Sequence, residues 1–113
     1  MRIYHNPACG TSRTVLGMIK DAGVEPEVIE YLKTPPDRAE LTSLLAMLGL
    51  SPRDILRTKG TTLETLGRDA DKMTDKQILD AILEHPILME RPIVVKGKKA
   101  AVCRPADKVA AFL

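Results

Sequence analysis

The sequence predicts an α/β fold in a single domain over residues 1–113, with a mixed four-stranded sheet flanked by helices. Short strand patterns alternate along the chain with segments whose apolar residues recur at helical spacing. Their order is strand–helix–strand, then a block of helices, then strand–strand–helix. A chain of 113 residues is also long enough to bury a core without disulfide or metal support.

The first part of the chain predicts a strand–helix–strand unit. A strand covers Arg2–Tyr4, and Asn6-Pro7 ends it before an amphipathic helix. Thr11 or Ser12 is predicted to cap this helix, because a hydroxyl oxygen accepts hydrogen bonds from the first free N–H groups. Polar and apolar residues then alternate over residues 27–32, which predicts the second strand.

Helices are predicted through the middle of the chain. Residues 37–48 carry leucines at helical spacing, and Ser51-Pro52 begins a short helix with proline in its first turn. A weaker helical fragment is predicted near Leu63 and Leu66. Residues 74–77 form a capping box, in which side chains and N–H groups satisfy each other at a helix start.

The last part predicts a hairpin followed by a terminal helix. Strands at residues 91–95 and 100–103 flank a turn at residues 96–99, whose lysines indicate a solvated turn. Residues 106–112 form the terminal helix. The whole order, β-α-β, a helical insertion and β-β-α, is typical of a thioredoxin-like fold.

Composition argues against several classes of protein. The formal net charge is only +2, with two Tyr, one Phe and no Trp, so nucleic acid is not an expected partner. No apolar run approaches the roughly 20 residues of a membrane span, and no basic-then-apolar leader opens the chain, so neither a membrane nor a signal peptide is expected. Two Cys and two His without ligand spacing predict neither a disulfide framework nor a metal site, and a reducing cytoplasm is the expected location.

Cys9 is the main candidate functional residue. It lies between the first strand and the first helix, in the segment His5-Asn6-Pro7-Ala8-Cys9-Gly10-Thr11-Ser12-Arg13. The start of a helix offers free N–H groups and the positive end of the helix dipole. These groups favour an anion, either the cysteine thiolate or a bound oxyanion.

Five segments of the chain carry a resemblance to a known family. They are His5–Arg13, Tyr31–Pro36, His85–Leu88, Arg91–Val95 and Cys103–Pro105. In this order they resemble the glutathione- and glutaredoxin-coupled arsenate reductases, over about residues 2–113. The resemblance implies a thioredoxin-like fold, arsenate as substrate, glutathione and glutaredoxin as electron donors, no bound cofactor, and a role in arsenic resistance.

The resemblance also implies roles for particular side chains. The nucleophile of the family falls on Cys9, the histidine that tunes it on His5, and the neighbouring serine on Ser12. The three oxyanion-binding arginines fall on Arg57, Arg91 and Arg104. A guanidinium group suits arsenate because its planar fork pairs with two oxygens and stays charged. The helix start, a protonated His5 and these arginines are expected to lower the pKa of Cys9 below the ~8.5 of a free cysteine.

Other residues of the matching segments have more ordinary expected roles. Cys103 is expected to be a buried structural thiol, and His85 a structural residue at a helix end. Arg13 is expected either to contact the anion or to be solvated or ion-paired. Thioredoxin-like folds usually carry a cis-proline facing the catalytic cysteine, so a cis bond is expected at Arg91-Pro92.

Two departures and three alternative classes accompany this resemblance. The chain ends soon after its last predicted helix, where plasmid-type members of the family carry a longer tail, and residues 58–71 match poorly.

The phosphatase-like arsenate reductases need a C-x5-R loop, but in this chain Val15 stands at the position of the arginine. Regulators of the same fold that bind RNA polymerase often carry C-x-x-C, and Ser12 replaces the second cysteine. A glutathione-dependent thiol transferase would need Cys9 but not the arginines.

Overall fold

A computed structural model of the chain describes residues 1–57 and 70–113. The strands and α-helices follow one another as β1 (Arg2–His5), α1 (Gly10–Asp21), β2 (Glu27–Glu30), α2 (Arg38–Leu48), α3 (Asp75–Glu84), β3 (Ile93–Lys96) and β4 (Lys99–Val102). Four 3₁₀ helices cover Pro52–Ile55, Ala70–Lys72, Pro86–Leu88 and Ala106–Phe112. The predicted order of elements is confirmed, while the fragment predicted near Leu63 and Leu66 lies outside the described residues.

The four strands form one mixed sheet in the order β2-β1-β3-β4. β1 pairs in parallel with β2 and antiparallel with β3, and β3 pairs antiparallel with β4. Lys96 of β3 faces Lys99 of β4, so two residues make the hairpin turn. One of them is Gly97, whose φ of 62° lies in the left-handed region that glycine adopts without a side-chain clash. The predicted α/β class with a mixed four-stranded sheet is therefore confirmed.

The chain divides into two compact units. The first comprises Met1–Thr34 with Arg91–Leu113, and the second comprises Pro35–Glu90. The first unit contains the whole sheet, α1 and the last 3₁₀ helix. The second contains α2, α3 and the remaining 3₁₀ helices. A single domain over residues 1–113 stays a prediction.

The core of the first unit holds α1 against the sheet. Its buried members come from β1, α1, β3 and the chain after β4; they are Ile3, Val15, Ile19, Val94, Cys103, Val109 and Phe112. Burying one such aliphatic side chain stabilises a fold by about 1.5–3 kcal/mol. Because Val15 and Ile19 are fully buried, this packing places the N-terminal end of α1 beside the end of β1.

The helices of the second unit begin and end where local signals placed them. An Asp37 side-chain oxygen accepts a hydrogen bond from the Glu40 N–H at 2.8 Å, and α2 ends at Gly49 with a φ of 68°. At α3, the Thr74 hydroxyl accepts from the Gln77 N–H at 3.2 Å, and the Gln77 side chain accepts from the Thr74 N–H at 2.9 Å. The predicted capping box is therefore confirmed.

Two details of the sequence prediction are wrong. The N-cap of α1 is Cys9, so neither Thr11 nor Ser12 caps this helix. The Ser12 hydroxyl lies inside the first helical turn and bonds to the preceding strand instead. The second strand ends at Glu30 rather than residue 32, because the Glu30 carbonyl accepts from two N–H groups of the turn that follows.

Candidate active site

Cys9 lies where β1, a short loop and α1 meet in the first unit. Its backbone is extended, with φ −93° and ψ 122°, and its carbonyl accepts from the Arg13 N–H at 3.0 Å, in the first turn of α1. The Cys9 side chain is only partly buried, so a small molecule in solution can reach the sulfur. The predicted position at a strand-to-helix junction is confirmed.

The surroundings of the Cys9 sulfur favour a negative charge. Burial by itself raises the pKa of this thiol. Hydrogen bonds from the Ser12 N–H, the Arg91 side chain and the Thr11 N–H, together with the positive charge of Arg91, outweigh burial and hold the pKa of Cys9 below its ordinary value. The thiolate fraction of Cys9 at neutral pH therefore exceeds that of a free cysteine.

Two of the three predicted arginines lie beside this sulfur. Arg91 is 8% exposed and stabilises the thiolate of Cys9. Arg104 is exposed, and its Nη1 lies 3.8 Å from Sγ of Cys9. Each arginine precedes a proline, and both peptide bonds, Arg91–Pro92 and Arg104–Pro105, are cis; the first was predicted and the second was not.

Arg57, the third predicted arginine, belongs to the second unit. Its backbone N–H donates to the Leu88 carbonyl at 2.7 Å. Its Nη1 is buried and has no hydrogen-bond partner among residues 1–57 and 70–113. The role of Arg57 in binding an oxyanion stays a prediction.

His5 and Ser12 form a buried pair behind the loop. Nδ1 of His5 lies 2.6 Å from Oγ of Ser12, and these residues are 6% and 0% exposed. Burial lowers the pKa of His5; the carboxylate of Glu30 opposes this effect, and the charges of Lys20 and Arg13 add to it. A neutral ring is therefore favoured at pH 7. Burial disfavours the protonated ring, and the role of His5 in tuning Cys9 stays a prediction.

The remaining predicted residues of this segment have structural contacts. Arg13 is exposed and its Nη1 donates to the Pro7 carbonyl at 2.9 Å, so its side chain connects the first turn of α1 to the loop before it. Cys103 is a free thiol that is 0% exposed, and burial raises its pKa to about 11. The prediction of a buried structural thiol is confirmed for Cys103.

His85 ends α3 in the second unit. Its N–H donates to the Ala81 carbonyl at 2.8 Å, and its ring nitrogen Nε2 lies 3.7 Å from a Glu84 carboxylate oxygen. These contacts agree with the predicted structural role at a helix end.

Sequence reasoning treated Asn6 only as a strand breaker, but the structure shows three hydrogen bonds for it next to Cys9. Asn6 is 3% exposed; its side chain and carbonyl accept hydrogen bonds from N–H groups of the loop, and its N–H donates to Ser12 in the first turn of α1. The available signal was the Asn-Pro pair itself, since an Asn side chain often bonds to the backbone two residues on.

Residues 1–57 and 70–113 contain neither a cluster of metal ligands nor a helix that could span a membrane. Within these ranges, no cluster of three or more His, Cys, Asp or Glu side chains could hold a metal ion. None of the helices found there combines the length and apolar character that crossing a membrane requires.

A model of the ArsC family matches residues 4–112 of the chain. The chain belongs to the ArsC family. It is 53% identical over 107 residues to the arsenate reductase of Rhizobium meliloti, a match that covers 95% of this chain and 76% of that protein. It is 50% identical over 111 residues to the arsenate reductase of Escherichia coli K12, covering 98% of this chain and 79% of that protein.

Solved structures support the same membership. The structure of an arsenate reductase from Vibrio cholerae superimposes with a TM-score of 0.91 at 39% identity, covering 99% of this chain and 96% of the other. Together with the observed sheet, this likeness confirms the thioredoxin-like fold of the ArsC family for this chain.

Proposed function

We propose that this ArsC-family chain reduces arsenate to arsenite with the thiolate of Cys9 as the nucleophile. One observation carries the proposal: a partly exposed cysteine of lowered pKa lies beside the guanidinium groups of Arg91 and Arg104. Relatives about half identical to the chain bear the name arsenate reductase, which supports the same reaction.

The arginines hold the arsenate oxygens in this proposal. Arsenate is a multiply charged tetrahedral oxyanion near neutral pH, and a guanidinium fork pairs with two of its oxygens. The Nη1 of Arg104 is 3.8 Å from Sγ of Cys9, close enough to contact an oxygen of an arsenic atom bonded to that sulfur. Arg91 is almost fully buried, so solvent screens its charge less than it screens that of Arg104. Arg57 is proposed as the third ligand.

The chemistry needs two thiols for each arsenate. Sγ of Cys9 bonds to arsenic, and an arsenate oxygen leaves as water with the protons that the two thiols release. A second thiol then attacks, arsenic takes two electrons, and the two sulfur atoms are oxidised to a disulfide. Arsenate and two thiols thus become arsenite, one disulfide and one water. A third thiol then attacks this disulfide at the sulfur of the second thiol, which releases the Cys9 thiol and leaves a disulfide between the second and third thiols.

The second thiol comes from outside the chain. Cys103 is fully buried with a pKa of about 11, so it supplies no thiolate at neutral pH. We therefore propose glutathione as the co-substrate, glutaredoxin as the protein that resolves the mixed disulfide, and no bound cofactor. Both cysteines are free thiols, which fits our proposal that the chain works in a reducing cytoplasm and serves arsenic resistance.

The test measures arsenite formed from arsenate in the presence of glutathione and glutaredoxin. Cys9→Ser is expected to abolish turnover. Arg91→Ala is expected to lower kcat/KM about a hundredfold, the usual loss when one preorganised anion donor is removed. Arg2→Ala serves as the matched control, because the Arg2 side chain pairs with Glu27 at 3.0 Å and is not one of the groups described above that bond to the Cys9 sulfur.

Different results would refute the proposed substrate, arsenate, and the proposed electron donor, glutaredoxin. A wild-type protein that alkylates at Cys9 but forms no arsenite would refute arsenate reduction. Turnover of a small disulfide by glutathione that is unaffected by Arg91→Ala would favour the thiol transferase alternative. If arsenite formation ran at the same rate without glutaredoxin, the proposed donor would be wrong while the reaction itself stood.

A further inference from the structure

We infer that Asn6 is a positioning residue for the nucleophile: its side chain sets the loop conformation that presents Sγ of Cys9 to the N–H groups of α1. This inference deepens the proposed function and rests on the proposed role of Cys9. It concerns the side-chain oxygen Oδ1, whose contact can be removed without deleting any backbone group.

Asn6 takes part in every hydrogen bond that the structure shows for the N–H groups of the loop before α1. Its Oδ1 accepts from the Ala8 N–H at 3.0 Å. Its carbonyl accepts from the Cys9 N–H at 3.0 Å, and its own N–H donates to Oγ of Ser12 at 3.1 Å. Pro7 has no N–H group, so these three bonds cover residues 6–9 completely.

This pattern directs two sets of N–H groups to different partners. The loop N–H groups are turned toward Asn6 and Ser12, whereas the N–H groups of Thr11 and Ser12 reach the Cys9 sulfur. The Cys9 peptide therefore has a defined orientation before any substrate arrives. Hydrogen bonds to a thiolate depend strongly on distance and angle, so a looser loop weakens both of these bonds and raises the pKa of Cys9.

The hydrogen bond between Asn6 Oδ1 and the Ala8 N–H differs from that of a solvent-exposed turn, because Asn6 is buried. Asn6 is 3% exposed, although Pro7 and Ala8 on its C-terminal side are exposed. A short polar side chain two residues before the N–H group is needed to reach it, which Asn does best and Ser does more weakly. An alanine side chain has no hydrogen-bond acceptor. A glutamine side chain holds its amide one methylene group farther from the backbone than asparagine does, so it does not fit the same contact with the Ala8 N–H.

The experiment titrates Cys9 by the pH dependence of its alkylation by iodoacetamide in Asn6→Ala, Asn6→Ser and Asn6→Gln. Asn6→Ala and Asn6→Gln are expected to raise the pKa of Cys9 by about one unit, which makes alkylation below that pKa about tenfold slower. Asn6→Ser is expected to restore most of the wild-type rate. Amide hydrogen exchange at Ala8 should be faster in the Ala and Gln variants and not in the Ser variant.

Thr14→Ala is the matched control on the first turns of the same helix. Its hydroxyl donates to the Gly10 carbonyl at 3.0 Å on the exposed face, so its loss should leave the pKa of Cys9 unchanged. Alkylation needs no arsenate, so the result for Asn6 is obtained whether or not the chain reduces arsenate.

A folded Asn6→Ala protein with the wild-type pKa of Cys9 would overturn the inference, because a purely structural contact changes stability without changing the titration. Equal pKa values in Asn6→Ala and Asn6→Ser would also overturn it. If Asn6→Ala does not fold, the comparison of Asn6→Gln with Asn6→Ser decides the question, and a wild-type pKa in the Gln variant counts against the role.

Discussion

Replacing Ser12 by Ala is expected to destabilise the fold far more than a single surface hydroxyl would. Ser12 is 0% exposed, and its Oγ bonds to two groups at once. One is Nδ1 of His5 at 2.6 Å, and the other is the N–H of Asn6 at 3.1 Å. Both partners are themselves buried, so the Ser12→Ala variant leaves each of them without a replacement from bulk water.

The magnitude follows from counting the polar groups left unpaired. An unsatisfied buried donor or acceptor costs about 1–3 kcal/mol, so two of them give about 2–4 kcal/mol, allowing for some relaxation of the loop. That is a large fraction of the roughly 5–15 kcal/mol that holds an ordinary domain together. With a urea m-value of about 2 kcal/mol per molar, the unfolding midpoint should fall by about 1–2 M.

The assay is equilibrium urea unfolding, followed by circular dichroism, of the wild type, Ser12→Ala and Thr14→Ala. Thr14 also lies on α1, but its hydroxyl donates to the Gly10 carbonyl on the exposed face, whereas the Ser12 hydroxyl accepts from the buried Asn6 N–H. Its loss should change the free energy of unfolding by no more than about 0.5 kcal/mol. Equal destabilisation in the two variants, or a loss below about 1 kcal/mol in Ser12→Ala, would refute the reasoning, since the buried pair would then contribute no more than a surface hydroxyl.

Two further predictions concern titration and reactivity. Because burial lowers the pKa of His5 in the folded chain, the unfolded chain binds a proton first as pH falls below about 6.5; the contribution of His5 to stability is complete above that pH and is lost as the pH falls further. His5→Gln should flatten this decline in urea midpoints while His85→Gln keeps it, and an unchanged slope in His5→Gln would contradict the burial argument. Since the pKa of Cys103 is about 11 and that of Cys9 is lowered, iodoacetamide at pH 7 should add one group to the native protein and two in denaturant, as counted by mass spectrometry. Two adducts on the native protein would show that Cys103 is not protected.

The site was predictable where its residues lie close together in the chain. Proline and helix patterns placed Cys9 at the junction of a strand and a helix, and the structure has it there. The same local reasoning assigned the Ser12 hydroxyl to a cap, although it bonds to His5 across the loop. The residues next to Ser12 in the chain favour a helix cap, because they carry no information about β1, which lies beside α1 in the fold.

The arginines near Cys9 could not be assigned to the site from local sequence patterns. Their proposed role as oxyanion ligands came from the resemblance, since an arginine before a proline is ordinary in a sequence. The contact between Arg104 and Cys9 joins residues 95 positions apart, and it exists because β3 and β4 bring the end of the chain back beside β1. Arg57 lies in the other unit, and its part in the site stays a prediction.

By itself, the sequence determined the order of strands and helices, the helix boundaries near Asp37, Gly49 and Thr74, and the position of Cys9 between a strand and a helix. Each of these depends on hydrogen bonds and apolar spacing among residues a few positions apart. Only the tertiary structure decided the strand order, the burial that lowers the pKa of His5 and the contacts of Asn6. These depend on burial and on distances across the fold, which are set by the pairing and packing of segments that are remote in the chain.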